Sequence, residues 1–107
     1  MSDDLRSMVG LTRAIADGRY RYTVHGAHQR IARGLHRADV EEAIANGEII
    51  EDYPHHHYGP ACLVYGRTSA GRALHVLCSN RSIVDVITMY EPDRSEWEDD
   101  LRTRRRT

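Results

Sequence analysis

The sequence contains no lysine and no phenylalanine, and it has only two cysteines, three prolines and one tryptophan in 107 residues. Because all fifteen basic residues are arginines, the positive charges are planar guanidinium groups that suit carboxylates and phosphates. A genome rich in G and C would produce the same bias, so both interpretations stay open. No apolar run approaches the roughly 18 residues of a membrane span, and the acidic start "MSDDLRSMVG" is unlike a secretory signal. We therefore predict a cytoplasmic protein with no membrane partner.

The two cysteines point to the same compartment. Cys62 and Cys78 lie within apolar runs and lack the C-x-x-C or C-x-x-H spacing of a metal or redox pair. They are predicted to be buried free thiols, which is consistent with a reducing environment.

Charge is unevenly distributed along a chain whose formal net charge is -1. Residues 13–37 carry six arginines and one aspartate, whereas residues 91–100 are mostly acidic and precede the tail "RTRRRT". This pattern predicts a basic face on a protein that is not basic as a whole. The tail, residues 102–107, is interpreted either as a mobile segment that adds phosphate affinity or as the end of a helix.

The length suits one compact domain, residues 1–107, and the hydrophobic periodicity predicts an α+β fold in which N-terminal helices pack on an antiparallel β-sheet. The N-terminal half is predicted to begin with a helix from the start signal Ser2-Asp3-Asp4 to Asp17-Gly18, followed by a strand "RYRYTV". Two more helices are predicted, one at "HGAHQRIARGL" that is stopped by Gly34 and one from residues 36–39 to Asn46-Gly47. The half ends with a predicted strand "EIIEDY". The C-terminal half is predicted to hold a loop "PHHHYGP", a meander of "ACLVYGRT", "ALHVLCSN" and "IVDVITMY" with turns at "SAGR" and near Arg81, and a terminal helix with Trp97 and Leu101 on one side.

Several blocks, in order, resemble one known family. "VHGAHQRIARGL", "VEEAIANGEIIEDY", "GPACLVYGRT", "GRALHVLCS" and "VDVITMYEPDRSEW" are similar to a bacterial family catalogued as domain of unknown function 4258, over roughly residues 20–98. Members of that family are regarded as similar to RelE-like and MqsR-like toxins, small ribonucleases often encoded beside an antitoxin. The resemblance implies a RelE- or barnase-like fold and an endoribonuclease toxin of a type II toxin–antitoxin system. Its implied partners are RNA, with mRNA as a candidate, and an antitoxin protein.

The resemblance also implies site residues. The family pattern places a histidine at the head of a helix, an arginine eight residues later and a second histidine on a strand, which correspond here to His25, Arg33 and His75. Tyr90 lies in the block "ITMYEP", and Arg30 stands where the family often has an apolar residue. We expect the first three to be catalytic and Arg30 and Tyr90 to contact the substrate.

These residue types suit RNA cleavage without a metal or other cofactor. The reaction needs a base for the 2′-OH proton, an acid for the leaving 5′-oxygen and positive charge on the phosphate. Histidine fills either proton-transfer role because its unperturbed pKa is roughly 6.5. His25 is the preferred base, because the dipole at a helix N-terminus disfavours its protonated form. His75 alternates with apolar neighbours, which predicts that it is mostly enclosed.

Two other function classes remain open. The same arginines and histidines suit a non-catalytic module that binds RNA or protein. A metal-dependent hydrolase would use the tract His55 to His57, although consecutive residues converge poorly on one ion. His55 and His57 could still hold an ion weakly together with Glu51 or Asp52.

Structural roles compete with the catalytic ones at single positions. His75 suits a hydrogen-bonded core histidine, Tyr90 a packed strand aromatic, and Arg33 a surface ion pair with Asp39 or Glu41 worth at most about 1 kcal/mol. His28 and His36 are interpreted as solvated helix residues.

Overall fold

The computed structural model describes residues 7–57, 59–79 and 83–106, and it confirms the α+β class. Predicted positions that lie outside these ranges are Ser2-Asp3-Asp4, Tyr58 and the turn near Arg81. The described elements in chain order are α1 (Met8–Ala16), β1 (Tyr20–Tyr22), α2 (Val24–Ala32), α3 (Arg37–Ala45), β2 (Glu48–Tyr53), β3 (Ala61–Arg67), β4 (Ala73–Ser79) and β5 (Val84–Tyr90).

Short polar side chains set the helix starts. Ser7 is the N-cap of α1, and its hydroxyl accepts a hydrogen bond from the Gly10 amide at 3.1 Å. Thr23 caps α2 in the same way, and the Asp39 carboxylate accepts from the His36 amide at the start of α3. Gly34, with φ of +65°, ends α2 as expected.

The five strands form one sheet in the order β1-β5-β4-β3-β2. The meander β3, β4 and β5 is confirmed, and β2 pairs antiparallel with β3. The short strand β1 pairs with β5 in parallel, so the sheet is antiparallel except at this pair.

Strand alternation gives the sheet two apolar faces. The helix face carries Val64, Val76 and Val86, which pack in the main core with residues of α1 and α3. The opposite face, called here the second face, carries Leu63 and Tyr65 and neighbours such as His75. The helices therefore cover one face only.

The C-terminal segment, residues 91–106, covers part of the second face, and the predicted terminal helix is wrong. Trp97 forms an isolated antiparallel bridge with Arg104, and Leu101 has a φ of +61°. The Asp100 carboxylate accepts hydrogen bonds from the amides of Arg102 and Thr103, and such local bonds compete with helix formation. Trp97 and Leu101 still reach the same cluster, because a turn brings them together as well as a helix would.

α2 lies beside β5, beyond the end of β1. The Thr23 amide donates to the Val86 carbonyl at 3.0 Å, and the Thr23 hydroxyl donates to the Ile87 carbonyl at 3.1 Å. A Cβ atom added to Gly26 would lie 2.4 Å from the Val86 carbonyl oxygen. The glycine thus lets helix and strand backbones approach closely.

Both cysteines are buried thiols that form no disulfide, as predicted. Cys62 and Cys78 are directly opposed on β3 and β4, and they belong to the main core. Burial raises the pKa of the Cys78 thiol, so it stays protonated.

Candidate functional site

His75 is fully buried on the second face. Its Nε2 atom lies 2.6 Å from the Leu101 carbonyl oxygen, and the Trp97 ring stands perpendicular to the imidazole at a centroid distance of 4.4 Å. Because a carbonyl only accepts hydrogen bonds, Nε2 carries a proton. Burial lowers the pKa of His75, so the ring is neutral near pH 7 and Nδ1 is left as an acceptor.

The hydroxyl group of Tyr90 is the hydrogen-bond partner of Nδ1 of His75. Tyr90 lies opposite His75 in the β4–β5 register, and its hydroxyl oxygen is 3.4 Å from Nδ1. Burial raises the pKa of Tyr90 to about 12, against the opposing effect of the Arg104 charge. The hydroxyl therefore keeps its proton at neutral pH and donates it to His75 in a long hydrogen bond.

Tyr90 also lines a cleft of about 270 Å³ on the second face, called here the sheet cleft. The lining residues are Tyr53, His56, Leu63, Leu77, Thr88, Tyr90 and Arg104. Two leucines form the apolar part, and the remaining side chains offer phenol, imidazole, hydroxyl and guanidinium groups. A neutral acid, a base and a fixed cation thus line one opening.

Arg104, in the C-terminal segment, provides the positive charge of the sheet cleft. Its Nε atom donates to Glu51 Oε2 at 3.0 Å, a terminal nitrogen lies 3.5 Å from the Tyr53 hydroxyl, and the guanidinium group lies 4.5 Å from the Trp97 ring centroid. Glu51 also accepts a hydrogen bond from the Tyr53 hydroxyl. An anion entering the cleft would compete with Glu51 for this guanidinium group.

His56, in the loop between β2 and β3, provides the imidazole of the sheet cleft. It is half-buried, and its ring stacks on that of His57 at 4.4 Å. Burial, with a further contribution from His57, lowers the pKa of His56. A lowered pKa keeps the imidazole neutral near pH 7, which is the form that accepts a proton.

The predicted residues of α2 lie elsewhere. His25 is the second residue of α2 and is exposed, which agrees with its predicted place at a helix N-terminus. Arg33 is the exposed C-cap residue, so the two lie at opposite ends of the helix, about 12 Å apart along its axis. Arg30 is half-buried: it donates to the Leu35 carbonyl at 2.9 Å and lies over the Tyr22 ring.

A polar network links Arg33 to the end of β5. Arg72 donates to the Arg33 carbonyl at 3.1 Å and to the Glu91 carboxylate at 2.9 Å. Arg72, and secondarily the charge of Arg33, lower the pKa of Glu91, the residue that follows Tyr90. The structure thus places Arg33 near the strand end that carries Tyr90 and brings Tyr90 into contact with His75, whereas His25 lies at the far end of α2.

Sequence reasoning missed His56 and Arg104 as members of one site. The sequence patterns place His56 only within a metal-binding tract and Arg104 only within a mobile tail or helix end. Neither the loop conformation nor the bridge from Trp97 to Arg104 follows from residue spacing. The apolar Trp97 and Leu101 were the one signal that the C-terminal segment returns to the sheet.

Within residues 7–57, 59–79 and 83–106, no group of three or more histidine, cysteine, aspartate or glutamate residues is arranged to hold a metal ion. His55 and His57 flank the half-buried His56 in an exposed part of the loop. The helices in this part of the chain are all too short or too polar to cross a membrane.

The family model described as Domain of unknown function (DUF4258) matches residues 22–91, so the chain belongs to this family. The match begins at the last residue of β1 and ends one residue after β5, so nearly all of the C-terminal segment lies beyond it. No curated protein and no solved structure matches the chain significantly.

Proposed function

We propose that the protein is a metal-independent endoribonuclease whose active site is the sheet cleft. The observation that supports this most is the Tyr90 hydroxyl, held by the buried neutral His75 on a cleft that His56 and Arg104 also line. The chain belongs to a family whose members are regarded as similar to RelE-like and MqsR-like toxins, and this likeness favours the same reaction class. It adds the proposed role of a type II toxin that an antitoxin restrains.

The proposed reaction needs no cofactor. Neutral His56 takes the proton of the ribose 2′-OH, the 2′-oxygen attacks phosphorus, and the bond from phosphorus to the 5′-oxygen breaks. Tyr90 gives its proton to the leaving 5′-oxygen, because an alkoxide is a stronger base than a phenolate whose conjugate acid has a pKa of about 12. The products are a 2′,3′-cyclic phosphate and a free 5′-OH, and the proton taken up by His56 then passes through water to the Tyr90 phenolate, which restores both groups.

Arg104 and His75 support that chemistry in different ways. Arg104 stabilises the charge that builds on the phosphate, once its bond to Glu51 is exchanged for the substrate. His75 is a positioning residue in this proposal, because it reaches the substrate only through Tyr90. The long 3.4 Å bond between them lets the hydroxyl hydrogen turn towards the 5′-oxygen.

Residues at the two ends of α2 have secondary roles in the proposed site. Arg33 is exposed near the end of β5, and Arg72 lies beside it, bound to Glu91; Arg33, and Arg72 once it exchanges Glu91 for substrate, contact neighbouring phosphates of the same RNA strand in this proposal. His25 remains the alternative base, as the family pattern implies, and a variant decides between it and His56.

The test is cleavage of labelled RNA by purified protein in the presence of a chelator. We expect wild type to cleave, and His56→Ala and Tyr90→Phe to lose about 100-fold or more in rate. His28→Ala is the matched control, since His28 is an exposed histidine outside the cleft, and it should cleave normally. Loss in His25→Ala but not in His56→Ala would move the base to α2, and equal cleavage by all variants would refute the histidine mechanism.

A further inference from the structure

Three side chains in register on neighbouring strands line the sheet cleft and are called here the cleft floor. Leu63 on β3 lies opposite Leu77 on β4, and Leu77 lies opposite Thr88 on β5. Because strands in a sheet lie about 4.8 Å apart, the cleft floor extends over roughly 10 Å. It is apolar at the β3 end and carries a hydroxyl at the β5 end. Such a surface suits a flat ligand with an apolar face and a polar edge.

The Thr88 hydroxyl is available to the edge of such a ligand. Thr88 is half-buried, and no residue in the described part of the chain forms a hydrogen bond with its hydroxyl. The two phenols of the lining differ in this respect, since Tyr53 donates to Glu51 and Tyr90 contacts His75. A threonine hydroxyl donates one hydrogen bond and accepts two, so it can pair with a donor or an acceptor.

A guanidinium group lies beside the cleft floor. Arg104 lines the same cleft, and it contacts a phosphate in the proposed reaction once Glu51 is exchanged for the substrate. One opening of about 270 Å³ thus offers a cation, an apolar surface and a hydroxyl. This volume is just below the roughly 300–1,000 Å³ of sites for drug-sized ligands, so it suits one nucleotide better than a folded RNA element.

The cleft floor lies between the proposed base and the proposed acid. The loop of His56 follows Tyr53, which pairs with Ala61 at the start of β3. Tyr90 lies two residues beyond Thr88 on the same face of β5, about 7 Å further from that loop. We propose that the cleft binds the base of the nucleotide whose 2′-OH gives its proton to His56. The ring of this base packs on the two leucines, and its edge bonds to the Thr88 hydroxyl.

The bound base defines the class of RNA. A base that is paired in a helix is stacked and offers its Watson–Crick edge to its partner, so it reaches neither the leucines nor the hydroxyl. The inference rests on the proposed function and adds that the substrate is single-stranded RNA or an unpaired loop. Thr88 is a specificity-determining residue here, because it contacts the base on the 5′ side of the cut and transfers no proton.

The experiment is an NMR titration of the full chain with the four nucleoside 3′-monophosphates and with ribose 3-phosphate, which lacks the base. We expect at least one nucleotide to bind about tenfold or more tightly than ribose 3-phosphate. Thr88→Val keeps the side-chain shape and removes the hydroxyl, so it should weaken this nucleotide about 2- to 10-fold and leave ribose 3-phosphate unchanged. Thr88→Ser keeps the hydroxyl and should retain most of the affinity. Thr12→Val is the matched control, since Thr12 is a half-buried threonine of α1 outside the cleft, and it should bind as wild type does.

Three results would overturn the inference. Equal affinity for ribose 3-phosphate and all four nucleotides would mean that no base is bound. An unchanged nucleotide affinity in Thr88→Val would place the base elsewhere, and an equal loss of both kinds of ligand would mean that Thr88 does not contact the base. Failure of the proposed reaction looks different, because base-dependent binding would then persist while wild type leaves RNA intact. Cleavage without base-dependent binding would remove this inference and leave the reaction standing.

Discussion

The Nδ1 atom of His75 and the hydroxyl oxygen of Tyr90 lie 3.4 Å apart across neighbouring strands, and the other nitrogen of the same imidazole is bound to the Leu101 carbonyl. This arrangement fixes the tautomer of His75 and makes it an acceptor. The buried ring therefore acts on the sheet cleft only through the tyrosine. Activity and stability should respond differently when each partner is changed.

Tyr90→Phe should separate the two properties. Removing the hydroxyl takes away one long hydrogen bond and leaves the Nδ1 acceptor of His75 without it, so the free energy of unfolding should fall by about 1–2 kcal/mol. The rate of RNA cleavage should fall about 100-fold, because the proposed proton donor is lost. Urea denaturation and single-turnover cleavage measure the two quantities on the same preparation. A loss of activity matched by a large loss of stability would contradict the catalytic role.

His75 should make the protein less stable as the pH falls. Burial lowers the pKa of His75 in the folded state, so the unfolded chain, with a pKa of roughly 6.5, takes up the proton first. The stabilisation from the neutral ring is complete above that pH and declines as the pH falls towards the lower, folded-state pKa.

The His75→Gln variant isolates this contribution from that of His56, whose pKa is also lowered. At pH 7.5 the variant should be less stable than wild type by about 1–3 kcal/mol, since it disturbs a buried hydrogen-bonded site. At pH 5 the difference should be smaller. Urea denaturation curves at both pH values give the comparison, and an unchanged difference would show that His75 titrates alike in both states.

Gly26→Ala should destabilise the protein although alanine is the better helix former. The added Cβ would lie 2.4 Å from the Val86 carbonyl oxygen and 3.1 Å from that of Ile87. The backbones of α2 and β5 must then separate, which should cost at least about 1 kcal/mol. Ala27→Gly, on the next residue, is the propensity control and should cost about 1 kcal/mol for the opposite reason. Stabilisation by Gly26→Ala in thermal denaturation would mean that the helix does not lie against β5.

Glu51 and Arg104 should have opposite effects on RNA affinity. Glu51→Gln removes the carboxylate that holds the Arg104 guanidinium group, so RNA should bind a few-fold more tightly, while Arg104→Gln should weaken binding and reduce its salt dependence. Fluorescence anisotropy at two salt concentrations measures both. Identical salt dependence in wild type and Arg104→Gln would exclude a phosphate contact by Arg104.

Local patterns predicted most of the fold. Gly34 marked the end of α2, residues 36–39 marked the start of α3, and alternation with short turns marked the meander, because these signals act within a few residues of chain. The N-cap role of Thr23 was not predicted, since the strand pattern "RYRYTV" included it. The prediction of a terminal helix is wrong for a physical reason. Trp97 and Leu101 suit one side of a helix, but the local bonds of Asp100 favour a turn that brings the same two residues onto the second face.

The candidate site was less predictable than the fold. The predicted enclosure of His75 follows from strand alternation, whereas its contact with Tyr90 depends on the β4–β5 register, which was not predicted. The addition of His56 and Arg104 depends on how a loop and a C-terminal segment pack across the sheet, and spacing along the chain carries no such information. The placement of His25 and Arg33 at opposite ends of α2 was predictable, but that neither of them lines the sheet cleft was not.

The most direct test of the proposed reaction is the chemical nature of RNA ends in cells that express the protein, because it also detects cleavage that requires ribosomes. The proposed mechanism predicts new fragments that end in 2′,3′-cyclic phosphate and whose partners begin with 5′-OH. These fragments should be absent when folded Tyr90→Phe or His56→Ala is expressed at the same level. Fragments ending in 3′-OH, or RNA that stays intact with wild type, would contradict the proposal.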